Sequence, residues 1–214
     1  MSLAFDPTSA YDAAFSGKAT HVVDDSGERQ PFAVGVWSSE PDWVDHELFI
    51  APCDAATLDV GCGPGRLVGE ISRRDVPALG IDVSIEAVRQ TRYRGASALL
   101  GDIFKTVPGE GTWQYALLAD GNLGIGGDPV RLLTRLRDVL TPEGVVIAEV
   151  AEHGAGLVRE ERQLLVEGRL SVPFDWAVVG LDAIDDVAAE AGMQVAATSS
   201  VGGRHTATMI RRGQ

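Results

Sequence analysis

Leu58-Asp59-Val60-Gly61-Cys62-Gly63-Pro64-Gly65-Arg66-Leu67 is the stretch whose reading decides the fold. It reads as a strand entering a glycine turn that opens a helix. Glycine has no Cβ, so such a turn bends sharply and lets a ligand approach the backbone closely. The spacing excludes two common loops. A dinucleotide fingerprint, G-x-G-x-x-G, needs glycine at the position of Arg66, whereas the glycines stand at 61, 63 and 65. A phosphate loop would end in Gly-Lys followed by Ser or Thr, and this turn does not.

Outward from this turn, short apolar runs alternate with helical stretches, the pattern of repeated βα units around a mostly parallel sheet. Strands are expected over 57–60, 78–83, 98–100, 115–119 and 145–150, and helices over 66–74, 85–93 and 129–140. Ser84 suits the N-cap of the second helix, while Leu133, Leu136 and Leu140 share a face of the third. Thr141-Pro142-Glu143-Gly144 is expected to end that helix and turn into the fifth strand. After Val150 the alternation breaks, and Gly154, Gly156 and Gly168 punctuate a charged segment read as an insertion over 151–178. A helix follows near 181–191. Residues 194–201 and 205–212, joined at Gly202-Gly203, form a hairpin whose last strand runs antiparallel.

The 214 residues suit a single domain over 1–214, with an N-terminal appendage over 1–54 that carries no clear pattern. Within the appendage, Trp37, Trp43, His46, Leu48 and Phe49 suggest a short amphipathic helix starting near Glu40-Pro41-Asp42. Such a helix could close over a site or simply pack onto the core. Eighteen basic against 31 acidic residues give a net charge of -13, a field that repels a phosphate backbone, so no nucleic-acid partner is expected. The two cysteines, Cys53 and Cys62, form no CxxC pair and fit a reducing cytoplasm. No stretch reads as a secretion signal or a membrane span.

An acid two residues before Gly61, three alternating glycines and a second acid in Gly80-Ile81-Asp82-Val83-Ser84 together resemble the class I S-adenosylmethionine-dependent methyltransferases. The resemblance implies an α/β fold with a Rossmann-like seven-stranded, mostly parallel sheet and an antiparallel C-terminal strand. It implies S-adenosylmethionine as cofactor and S-adenosylhomocysteine as product. In that family the glycine turn lies under the amino-acid part of the cofactor, which assigns Asp59, Gly61, Cys62, Gly63 and Gly65 to it. The acid ending the second strand takes both ribose hydroxyls, the place of Asp82, with Val83 beside it; two carboxylate oxygens can accept from two hydroxyls at once. Leu100-Gly101-Asp102-Ile103-Phe104 resembles the family's adenine-binding segment, with Asp102 accepting from the amino group and the Ile103 amide reaching a ring nitrogen. Ala119, Asp120 and Asn122 fall where the fourth strand delivers the loop lining the methionine end and the transfer chamber. The likeness covers 55–150 most closely and the first segment and insertion least.

Methyl transfer from a sulfonium is an in-line displacement, so the protein mainly supplies alignment and a dry chamber. No HxxxH or HExxH motif is present and no metal is expected. An acceptor hydroxyl or ammonium needs a base, and His153 and His205 stand at the sheet edge where a ligand binds. Trp43, His46, Phe174 and Trp176 are the expected chamber lining, favouring a small soluble aromatic or amphipathic acceptor methylated on oxygen or nitrogen. The competing reading is a cofactor-binding sensor or partner subunit without transfer activity. Oligomeric state leaves no mark in the sequence.

Overall fold

The computed structural model describes residues 5–18 and 20–213. Helix α1 (Pro7–Phe15) starts at a proline and is capped by Asp6, which accepts from the Thr8 amide at 2.7 Å. It is followed by β1 (Thr20–Val23), β2 (Arg29–Pro31), α2 (Val34–Trp37) and α3 (Trp43–Asp45), the last running into a π-helical turn, His46–Ile50. The alternating part comprises β3 (Thr57–Val60), α4 (Arg66–Arg73), β4 (Ala78–Asp82), α5 (Ile85–Tyr93), β5 (Ala98–Leu100), β6 (Trp113–Leu118), α6 (Pro129–Val139) and β7 (Leu140–Val150). Then come β8 (Leu157–Val166), β9 (Arg169–Leu170), β10 (Phe174–Val179), α7 (Ile184–Glu190), β11 (Met193–Val201) and β12 (Arg204–Arg211).

The larger sheet has seven strands in the order β11-β12-β7-β6-β3-β4-β5. From β5 to β7 it is parallel, while β12 runs antiparallel to both β7 and β11, as expected. All four β3 residues are buried, as befits a central parallel strand covered on both faces. One apolar layer packs Leu132, Leu133 and Leu136 of α6 and Ile184 and Val187 of α7 against the sheet. The other packs Leu48, Phe49 and Ile50 of the π-turn with Leu67 and Ile71 of α4. The chain winds outward from β3 through β4 to β5, then resumes on the other side at β6. A crevice therefore opens beyond the ends of β3 and β6, where ligands bind in open α/β sheets.

Two expectations change. The third helix stops at Val139, and β7 runs straight through Pro142 rather than starting after it. Trp113 pairs with Leu140 and Tyr115 with Val145, so the extra β7 residues bulge out. Gln114 secures the bulge, donating to the Glu143 carbonyl at 2.9 Å and accepting from the Thr141 hydroxyl at 3.1 Å. The second change concerns the first segment and the insertion, neither of which showed a strand pattern. Together they build an antiparallel sheet, β10-β8-β1-β2, with β9 also paired to β8. Its central pairing joins Thr20 to Val166, a contact between distant parts of the chain.

This small sheet docks on the 3₁₀ turn after β6, Asn122–Gly124, where Ile125 bridges Trp176. A Cβ on Gly124 would overlap the Ala177 carbonyl oxygen and the Trp176 indole. Gly124→Ala should therefore cost about 1–3 kcal/mol as overpacking against backbone, read as a lowered denaturation midpoint in urea.

Candidate active site

The glycine turn divides its labour. Gly61, Gly63 and Gly65 all have left-handed backbones, at φ +69°, +52° and +85°. A Cβ on Gly61 would overlap the Asn122 side chain and one on Gly65 would overlap Thr91, whereas one on Gly63 would meet nothing nearer than the Phe15 ring at 3.8 Å. Gly63 thus lines the cavity with room for a Cβ beside Phe15, and the other two let neighbours close in. Asn122 donates to the carbonyls of Val60 and Gly61, both at 2.9 Å, tying the loop after β6 to the end of β3. Below the turn, the buried Asp59 accepts from the Val68 amide at 3.2 Å, and burial pushes its carboxyl up to about 7.

Asp82 ends β4 with both oxygens engaged: one accepts from the Gly63 amide at 2.9 Å, the other from the Ser84 amide at 2.8 Å. Burial raises its pKa, and these amides work against the rise. Each oxygen keeps a lone pair for a further donor. Asp102 accepts from the Phe104 amide at 2.9 Å, fixing the turn after β5.

Beyond β6 lies a network of two arginines and three carboxylates. Arg204 grips Glu149 with Nε at 2.9 Å and Nη2 at 2.7 Å, reaches Asp45 at 2.7 Å and Asp120 at 3.2 Å. Arg66 pairs with Asp120 at 2.5 Å and also with Asp45. Asp120 has the left-handed φ of +54°, and its amide donates to Glu149 at 2.6 Å. Burial by itself raises the Asp45 pKa, but bonds from Arg66 and Arg204 outweigh it and hold the carboxyl below its usual value. Asp120 moves the other way: its burial outweighs the two arginines, with Glu149 adding to the rise.

Arg66, Asp120 and Glu149 of this network join the glycine turn and Asp82 around one cavity of about 780 Å³ that continues to the second sheet. Asp59, Gly61, Cys62 and Gly63 line it, as do Asp82, Val83, Asp102 and Ile103, then Ala119, Asp120 and Asn122, and finally Phe174 and Trp176. Five sequence candidates lie outside the lining. Gly65 faces Thr91 instead. Trp43 is largely exposed, and a Cβ on Gly202 would meet it and Val44, so that short helix packs beside the C-terminal turn; His46 follows in the π-turn. His153 sits in an exposed turn. His205 pairs with Ser200 across the hairpin, its Nδ1 2.7 Å from the hydroxyl, and strand alternation turns it away from the face on which Arg204 reaches the network. Among the described residues no histidine lines the cavity. The sequence reading missed Tyr11, Phe15 and Phe32 on the second-sheet side and Arg66 and Glu149 near the glycine turn, while Trp37, which it assigned to the short helix of the appendage, also lines the cavity.

Residues 57–144 match the family model of a methyltransferase domain. The whole fold is similar to an S-adenosylmethionine-dependent methyltransferase from Bacteroides fragilis, solved with S-adenosylhomocysteine, at a TM-score of 0.80 and 17% identity over 97% of this chain and 95% of that one. It is also similar to the 1,6-didemethyltoxoflavin-N1-methyltransferase of Burkholderia thailandensis, at a TM-score of 0.60 and 15% identity over 83% and 81% of the two chains. A tabtoxin biosynthesis enzyme of Pseudomonas amygdali pv. tabaci is 34% identical over 70 residues, which are 33% of this chain and 28% of that one. The chain spans under a third of the length of the curated relatives it matches. The part of the chain that carries the glycine turn and Asp82 is thus the part that matches the methyltransferase-domain model, and the fold around it is similar to that of a solved methyltransferase.

Two outcomes test this site. Asp45→Ala leaves Arg66 and Arg204 short of a buried partner and should cost about 3 kcal/mol of unfolding free energy, measured in urea. Asp59 is ionised at an ordinary low pH when unfolded and at about 7 when folded, so its contribution to stability falls as pH rises between those values. Asp59→Asn does not titrate and should gain on the wild type by about 2–4 kcal/mol from pH 4 to pH 8. A constant difference across that range would show that Asp59 ionises normally.

Proposed function

We propose that this chain transfers the methyl group of S-adenosylmethionine to oxygen or nitrogen of a small soluble acceptor. The observation that carries this reading is the continuous cavity, which joins the cradle at Gly61–Gly63 and Asp82 to a chamber against the second sheet. The residues present fit the cofactor. Gly63 lines the cavity with no clash beside its backbone, the free lone pairs of Asp82 suit a ribose diol, and the Asp102 turn suits the adenine end. When bound, S-adenosylmethionine supplies a methyl group on a sulfonium whose leaving group is a neutral thioether.

The chain's own work is to hold and exclude. Asp120 and Asn122 shape the passage between cradle and chamber, and the first segment and insertion wall the chamber from water. With no histidine in the described lining, an acceptor that must lose a proton hands it to a lining carboxylate or to water. A ring-walled enclosure favours transfer over a protein that only senses the cofactor. Among the described residues no helix is long and apolar enough to cross a membrane, and no cluster of His, Cys, Asp and Glu is arranged to hold a metal.

Calorimetry should register binding of S-adenosylmethionine and S-adenosylhomocysteine, and binding of NADH instead of both would overturn the reading. Asp82→Ala should remain folded and weaken cofactor binding by about 1.5–3 kcal/mol, the scale of charge-assisted hydrogen bonds. Wild-type affinity in the folded variant would remove Asp82 from the site.

A further inference from the structure

The chamber half of the cavity is walled by a chain of touching rings. Trp176 meets Phe174 edge-on with centroids 6.3 Å apart, Phe174 meets Tyr11 at 6.2 Å, Tyr11 meets Phe32 at 5.5 Å, and Phe32 meets Trp37 edge-on at 4.7 Å. Rings in tilted and edge-on contact present both faces and edges to a guest, the geometry that receives another flat ring.

The charges on this side are unequal. Asp24, Glu28 and Glu160 line it against the guanidinium of Arg162. Arg162 is already committed: its Nε and Nη2 both bind Glu160, at 2.7 and 2.5 Å, and its guanidinium lies 5.4 Å from the Trp176 ring centre. The remaining field is negative and disfavours an anion. Amid the rings, the Tyr11 hydroxyl makes no hydrogen bond to any described residue, although the side chain lines the cavity. Burial raises its pKa above that of an ordinary phenol, with the Asp82 charge adding to the rise and Arg162 opposing it. It stays protonated, so it can donate one hydrogen bond and accept others.

We propose that the chamber takes a flat aromatic acceptor without negative charge, and that the Tyr11 hydroxyl receives its polar atom as a positioning residue. This rests on the reading of the cavity as an acceptor chamber. Tyr11 then fixes the orientation of the acceptor and does not remove its proton.

The test is ligand-observed NMR on the protein saturated with S-adenosylhomocysteine, using a fragment panel balanced between aromatic and saturated rings, each in cationic, neutral and anionic forms. Binders should be aromatic and non-anionic. Tyr11→Phe, which keeps the ring, should weaken them about fivefold, one hydrogen bond's worth, and Phe174→Leu should weaken them independently. Binders that are mainly saturated or anionic, yet weaken in these variants, would overturn this inference and leave the chamber reading standing. Aromatic binders unaffected by both substitutions would place binding elsewhere and overturn it too. Failure of every fragment to bind would overturn both this inference and the chamber reading.

Discussion

The arrangement of the site hangs on the ion-pair network around Asp45, Arg66, Asp120, Glu149 and Arg204. Its members come from the segment before β3, the start of α4, the loop after β6, the end of β7 and the start of β12. Those are the pieces that meet at the carboxyl edge of the sheet. Hydrophobic burial, which has no direction, holds the two layers on the sheet but cannot fix a loop in a left-handed turn. Asp120 is held there by three directed contacts: its amide on Glu149 and its carboxylate on two guanidiniums. Buried ion pairs add little net stability because desolvation offsets attraction. What this network supplies is position, since any displacement of Asp120 leaves buried charge unpaired. Among the described residues, buried Arg66 Nε already has no hydrogen-bond partner, so the network tolerates no further loss cheaply.

The second sheet explains how one wall of the cavity can come from both ends of the chain's irregular sequence. Strand β8 pairs on one side with β10, its near neighbour, and on the other with β1. Helix α1 is fastened in turn to the larger sheet's periphery. Asp12 accepts from the Ser84 hydroxyl at 2.5 Å and the Glu86 amide at 3.1 Å, so it helps cap α5, the helix that begins just after Asp82. Gln90 adds a bond to the Phe15 carbonyl at 2.8 Å. The ring-lined wall of the cavity and its Asp82 end therefore share an anchor, and displacement of α1 would disturb both.

What the sequence revealed follows the range of the interactions concerned. The glycine turn, the acid at Asp82 and the parallel strands are encoded by spacing and short periods, and each was legible. Arg66 registered only as a missing glycine, because a lone arginine says nothing of the two carboxylates that meet it. Glu149 and Arg204 stand near the right edge in the sequence, but nothing there says that they meet each other, for the same reason. His205 was legible as a strand residue at the correct edge, but the two-residue period that separates it from Arg204 does not say which face looks onto the cavity. Thr206 is paired with Glu149 and His205 with Val150, and only that register assigns the faces. The small sheet escaped notice because β8 alternates poorly, with charged Arg159, Glu160 and Glu161 in succession, and its partner β1 lies far away in sequence.

The acid two residues before the glycine turn has a structural reason that the glycines themselves create. Helix α4 begins after Gly65, a position that requires left-handed backbone and leaves no room beside Thr91 for a side chain. A residue so constrained cannot cap the helix, although the first amides of α4 still need acceptors. Asp59 fills the role from the preceding strand: its carboxylate reaches the Val68 amide in the first turn, where the helix dipole also favours negative charge. The cap must come from β3, since the strand ends beneath the helix start and Gly63 must stay open to the cavity. Burial, however, raises the pKa of that carboxyl, and the nearest cation, Arg66, is already divided between Asp45 and Asp120. The turn is thus braced by a carboxylate held at an electrostatic cost, a cost that follows directly from keeping its three glycines bare.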